Sequence, residues 1–276
     1  MDIYVIPPKA HLELMNLGDR YFCLSQQYLK DENYRNFFKQ KVAEGKWVTL
    51  DNGAGDFETV TRETVLQIAR ELQPSELIPL DILFDKNKTL ENLEWTINEM
   101  RGDELLREIQ VFACPQGNSF DDWIECYDAM IANPDVTTIG MSKIAVPWAI
   151  SKSTGDKNIG IDRNSMYAYL RATGRLKKPL HFLGAGEAEE FILYKDDPLC
   201  RSTDSCFTVW NAMCGQLLED PDYERISTPK DYFDRVIPEQ KGMRDGRENK
   251  VGLGRPNDLI IKAIEMNVKY LQKCCK

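Results

Sequence analysis

"PLCRSTDSCFTVWNAM" runs from Pro198 to Met213. Its one acidic residue, Asp204, stands among small hydroxyl residues, after the apolar patch "FILY" and before a helix-like run. In a barrel of alternating strands and helices, reactive side chains sit at such strand ends. Asp204-Ser205 can equally cap the helix that follows. The rest of the chain decides whether this stretch belongs to a barrel.

Apolar runs of strand length alternate with helix-period segments along most of the chain, the pattern of βα units around a parallel sheet. The strand candidates are "DIYVI", "WVTL", "ELIPLDIL", "IQVFAC", "TTIGM", "PLHFLG" and, less clearly, the region from "FILY" to "RSTD". Between them, "TRETVLQIARELQ" places Val65, Ile68, Ala69 and Leu72 on one helical face. "TLENLEWTINEM", "FDDWIECYDAMIA" and "SMYAYLRATG" repeat the spacing, with Gly174 as a stop signal. The fold class is therefore α/β, a single (β/α)8 TIM-type barrel over residues 1–226. Residues 227–276 follow as a polar, Gly-containing loop and an amphipathic closing helix packed on the barrel. The length of 276 residues fits one such domain.

Composition narrows the function classes. With 42% hydrophobic and 29% charged residues the chain reads as an ordinary globular domain. No apolar stretch approaches the roughly 20 residues that span a bilayer, and the start "MDIYVIPPKAHLEL" lacks a basic flank before an apolar run. The expectation is a cytoplasmic protein without a membrane partner. The eight cysteines are scattered without a CxxC pair, so free thiols are expected. His11 and His181 are the only histidines, which leaves acid-base chemistry to carboxylates. A net charge of −9 argues against indiscriminate coating of nucleic acid. Two local surpluses stand out: "RATGRLKKP", with Arg175, Lys177 and Lys178, and the stretch around Arg244, Arg247 and Lys250. Each is either a phosphate-tracking surface or a solvated loop.

The polar residues after the apolar runs are few: "DNGAGD" from Asp51, then Asp81, "PQGNS", "MSK", "AGEAEE" and Asp204. "GAGEAEE" holds a GxG without the third glycine or the βαβ setting of a dinucleotide site, so no cofactor is expected. Taken in order, these segments resemble the tRNA-guanine transglycosylase superfamily, including its relatives that insert 7-deazaguanines into DNA. "LDNGA" is similar to that family's Asp-Ser-Gly-Gly turn, "CPQGN" to its Val-Gln-Gly-Gly turn, and "IGMSKIAVP" to its Gly-Gly-Leu-Ala-Val-Gly stretch. "HFLGAGEAEEF" resembles its Leu-Met-Gly-Val-Gly segment, and "RSTDSC" falls at its second Asp-centred motif.

The resemblance implies Asp204 as nucleophile at C1′ and Asp51 as general acid/base, the division of labour of retaining glycosidases. It implies Asp81 and Gln116, with Gly117, as readers of a guanine-like edge, Gly140 as a backbone N–H donor to the base carbonyl, and Gly184 as a place where a flat ring comes close. The implied function is exchange of guanine in DNA for a preQ0-like 7-deazaguanine, with DNA and the free base as partners; a homodimer is compatible with it. The alternatives are the same exchange on tRNA and a barrel that binds a nucleobase without exchange. Departures are plain: Asn52 replaces the family's Ser, and no His follows Asp204 to complete the zinc subdomain of the tRNA enzymes, so no structural zinc is expected.

Overall fold

A computed structural model describes residues 1–7, 9–54, 60–152, 159–213, 216–220 and 258–276. Eight parallel strands form one sheet: β1 (Asp2–Val5), β2 (Tyr21–Leu24), β3 (Val48–Asp51), β4 (Glu76–Leu77), β5 (Gln110–Ala113), β6 (Val136–Ser142), β7 (Leu180–Leu183) and β8 (Cys200–Ser205). They run in the order β1-β8-β7-β6-β5-β4-β3-β2. The two ends meet through a parallel bridge between Tyr4 and Arg20, and the Ile3 carbonyl accepts the Asp19 N–H at 2.7 Å. The sheet is thereby a nearly closed barrel with helices between its strands, a (β/α)8 architecture.

The helices start where the sequence supplies caps. Asp31, Thr61, Asp85 and Ser119 each accept a backbone N–H three residues on, opening α2 (Glu32–Ala43), α3 (Arg62–Leu72), α4 (Lys86–Arg101) and α5 (Phe120–Ala132). A short α1 (Ser25–Lys30) precedes α2. On α3 the inward stripe is Val65, Leu66, Ile68, Ala69 and Leu72, and each large aliphatic so buried contributes about 1.5–3 kcal/mol. After β6 come α6 (Ala145–Ser151) and α7 (Ile159–Ala172), the latter ended by Gly174 at φ +68°.

Three elements differ from the sequence expectation: of "ELIPLDIL" only Glu76–Leu77 is strand, so Asp81 lies in the loop after β4. "YFCL" is β2, a fully buried strand hidden between a 3-10 segment and α1. "FILY" belongs to a 3-10 turn, Glu189–Leu193, and the strand begins only at Cys200. Asp204 therefore lies inside β8, paired with Tyr4 of β1.

After β8, α8 (Phe207–Met213) and α9 (Asp258–Cys275) pack together. Asn267 on α9 is fully used: it accepts from the Leu218 N–H and donates to the Thr208 and Gln216 carbonyls. The N-terminal amine reaches the Cys275 carbonyl at 3.2 Å, so α9 closes the helical ring beside β1. No described helix is long and apolar enough to cross a membrane.

Candidate active site

At the start of the helix after β8 it is Ser205, not Asp204, whose side chain accepts a backbone N–H: its Oγ takes that of Phe207 at 3.0 Å. Asp204 is free of that duty and faces the barrel interior. Its Oδ1 accepts the Gly184 N–H at 2.8 Å and meets His181 Nε2 at 3.1 Å. Oδ2 has no hydrogen-bond partner among the described residues. Burial works to raise the Asp204 carboxyl, but His181, the Gly184 N–H and the charge of Lys143 outweigh it and hold the group below its ordinary value. The side chain is an anion with one oxygen committed.

His181 lies beneath it, with no exposed surface against 8% for Asp204. A substrate at the mouth meets the carboxylate and not the imidazole. Phe22 stacks on the ring at 6.0 Å, Tyr4 meets it edge-on at 5.2 Å, and Phe112 lies at 5.1 Å. Burial in this aromatic box pushes the imidazole pKa down in spite of the carboxylate, which favours the neutral ring.

The second group of residues joins the ends of β3, β4 and β5. Asp51 ends β3; its Oδ2 accepts the Gly53 N–H at 2.9 Å, in a turn where Gly53 takes φ +80°. Asn52 donates to the Pro79 carbonyl at 2.8 Å and to Asp81 Oδ1 at 2.7 Å, and accepts the Ala54 N–H. Gln116 donates to Asp81 Oδ2 at 2.5 Å, and its own oxygen accepts the Phe84 N–H. Burial raises the Asp81 carboxyl even though Asn52 and Gln116 donate to it. Asp81 and Gln116 thus stand side by side, each already holding the other.

The buried Cys114 thiol is pushed far up, first by burial and then by the negative charges of Asp81, Asp51 and Asp204. Asp51 at the end of β3, Asp204 in β8 and Asp81 in the loop after β4 thus all act electrostatically on this one thiol.

The glycines have distinct roles. Gly140 lies within β6, and a Cβ there meets Cys114 Sγ at 2.7 Å and Leu183 and Phe112 side-chain carbons at 2.9 Å. Gly117 faces the backbone of α5, its Cβ position being 2.3 Å from the Trp123 nitrogen. Both serve close packing in this structure. Gly184 takes φ +70°, and the Lys143 side chain lies across it, with Cδ 2.4 Å from a built Cβ. Arg163, fully buried, ties this turn down by donating to the Met141 and Leu183 carbonyls and to Glu190.

The first basic cluster lies elsewhere. Arg175, Lys177 and Lys178 precede β7, at the N-terminal end of the strands and away from the mouth. Arg175 pairs with Asp128 at 3.1 Å, and Lys178 Nζ donates to the Met130, Asn133 and Val136 carbonyls. These contacts tether Arg175 and Lys178, at the start of β7, to α5 and β6. Arg244, Arg247 and Lys250 lie outside the described residues.

Sequence reasoning missed His181, Ser202, Arg163 and Lys143 as parts of the site. The available signal was His181 as a lone imidazole inside an apolar strand, two strand positions before the mouth. Among the described residues, no group of three or more His, Cys, Asp or Glu is arranged to hold a metal ion. Neither a scan against protein-family models nor a search of curated proteins finds a match to this chain.

Proposed function

We propose that this barrel is a glycosyltransferase that exchanges guanine in DNA for a preQ0-like 7-deazaguanine through a covalent ester on Asp204. The observation that carries the reading is the Asp204 carboxylate itself: anionic at a strand end, with Oδ1 held by the Gly184 N–H and His181, and Oδ2 without a hydrogen-bond partner among the described residues.

In the first half-reaction Oδ2 attacks C1′ of the target nucleoside as the bond from C1′ to the base nitrogen breaks. The electron pair leaves with guanine, which takes a proton from Asp51; Asp51 enters this step as the carboxylic acid and leaves it as the carboxylate. The second half-reaction runs in reverse with the new base: Asp51 removes the ring N–H proton, the nitrogen attacks C1′, and the ester opens to return Asp204 as carboxylate. Asp81 and Gln116 read the base edge. A carboxylate has about four acceptor sites, so Asp81 keeps acceptor capacity beyond its bonds to Asn52 and Gln116.

Labelled guanine offered with duplex DNA, single-stranded DNA and tRNA in parallel tests the reading. Release or uptake of label on DNA alone is expected. Exchange confined to tRNA moves the substrate to RNA, and tight preQ0 binding without exchange on any polymer leaves a base-binding barrel.

A further inference from the structure

Beneath Asp204 a line of buried hydrogen bonds descends into the barrel. Glu76 on β4 and Arg201 on β8 form a two-pronged pair, at 2.8 and 2.9 Å. Glu76 has no exposed surface and accepts also from Thr49 at 2.6 Å and from Tyr4 and Trp47 at 3.3 Å. Arg201 Nε then donates to Ser202 Oγ at 3.1 Å, Ser202 Oγ meets His181 Nδ1 at 2.8 Å, and His181 Nε2 meets Asp204 Oδ1 at 3.1 Å.

A slip in strand pairing makes the line continuous. Leu180 pairs with Cys200 but His181 with Ser202, so Arg201 is an extra residue in β8. An extra residue breaks the alternation of sides. Arg201 and Ser202 consequently both reach the interior, although they are sequence neighbours.

We infer that Glu76, Arg201 and Ser202 are positioning residues that lock His181 into its Nε2–H tautomer and so present Asp204 with Oδ1 committed and Oδ2 as the attacking oxygen. The direction of every bond follows from the donor inventory. A guanidinium only donates, so Ser202 Oγ accepts from Arg201. Its single hydroxyl proton then has one remaining acceptor, His181 Nδ1. The Nδ1 lone pair is thereby occupied, and the proton of the neutral ring must sit on Nε2, where the Asp204 anion accepts it. In the other tautomer the Nε2 lone pair would face a carboxylate oxygen at 3.1 Å and the Ser202 proton would be stranded in a buried site. An imidazolium would strand the same proton. The charged or titratable groups around the ring are Asp204 and Arg201 on β8, Glu76 on β4 and Tyr4 on β1; its other ring neighbours, Phe22 on β2 and Phe112 on β5, are apolar.

The rate consequence rests on the transglycosylase reading; the tautomer does not. The test is a long-range proton-nitrogen NMR spectrum of the full chain labelled at histidine, with His11→Gln assigning the two rings. His181 is expected as a neutral Nε2–H imidazole at neutral pH. An Nδ1–H or imidazolium pattern there overturns the inference and requires no variant. Ser202→Ala removes the hydroxyl, and a mixed tautomer pattern is expected, with kcat for exchange down about 10²-fold and the KM for free base unchanged. An unaltered spectrum and rate in Ser202→Ala also overturn it. Wild-type protein that shows Nε2–H but exchanges no base on any polymer sinks the transglycosylase reading and leaves the tautomer assignment in place.

Discussion

Replacing Asp204 by Asn separates chemistry from structure, because the amide keeps the shape and one acceptor. Its carbonyl oxygen can take the place of Oδ1 and still accept from Gly184 N–H and His181 Nε2–H. The NH2 group then occupies the position of Oδ2, which has no hydrogen-bond partner among the described residues. What is lost is charge. Two charge-assisted bonds of about 1.5–3 kcal/mol each become neutral bonds of about 0.5–1.5 kcal/mol each, a loss of about 2–3 kcal/mol that is partly offset because a buried amide is cheaper to desolvate. At about 2–4 °C per kcal/mol for a domain of this size, the melting temperature should fall by only several degrees. The gap has a pH signature. Asp204 is held below its ordinary value, so its contribution is present above about pH 4 and disappears as pH falls through the depressed folded value. Wild type and variant should therefore converge in acid. Exchange, by contrast, should drop about 10⁴-fold or more, since the amide forms no glycosyl ester. Thermal unfolding beside denaturing gels of protein incubated with DNA reads both effects. A polymer adduct that persists in Asp204→Asn refutes the assignment of the nucleophile. Asp51→Asn serves as the internal comparison: turnover falls, while an adduct through intact Asp204 still accumulates.

Three further outcomes follow from the same geometry. His181 is held neutral by burial, so below about pH 6.5 the unfolded chain binds a proton that the folded chain does not. Stability should decline there by up to about 1.4 kcal/mol per pH unit, and His181→Gln should remove that slope in urea titrations; identical slopes count against a buried neutral ring. Gly117→Ala should destabilise more than Gly140→Ala, because its Cβ meets the α5 backbone whereas that of Gly140 meets side chains; overpacking of the second kind costs about 1–3 kcal/mol, and equal denaturation midpoints would contradict the ranking. Lys178→Met removes the ammonium that three backbone carbonyls share, two of which keep a backbone N–H donor, and should cost about 1–3 kcal/mol in chemical denaturation while the salt dependence of polymer binding stays unchanged. A weakened polymer affinity at unaltered stability would return Lys178 to the phosphate-binding role.

The sequence by itself carried the barrel, because periodicity is a local property. Runs such as "WVTL" and "TTIGM" alternating with stripes such as Val65, Ile68, Ala69 and Leu72 need only near neighbours to be read. The same locality placed Asp51, Asp81, Gln116 and Asp204 after or within apolar runs. It failed where local signals conflict: "YFCL" is too short and too close to helical sequence to stand out as β2, and "FILY" has strand composition but folds as a 3-10 turn. What only the tertiary structure decided is lateral. Glu76 and Arg201 lie 125 positions apart, and no spacing rule joins them. His181 meets Asp204 because β7 and β8 pair in one register, and Arg201 turns inward because that register slips by one residue. Whether a basic residue such as Lys178 faces the mouth or the opposite end is likewise set by the direction of β7. These relations are fixed by hydrogen bonds between strands and by packing across the barrel, and such contacts leave no period along the chain.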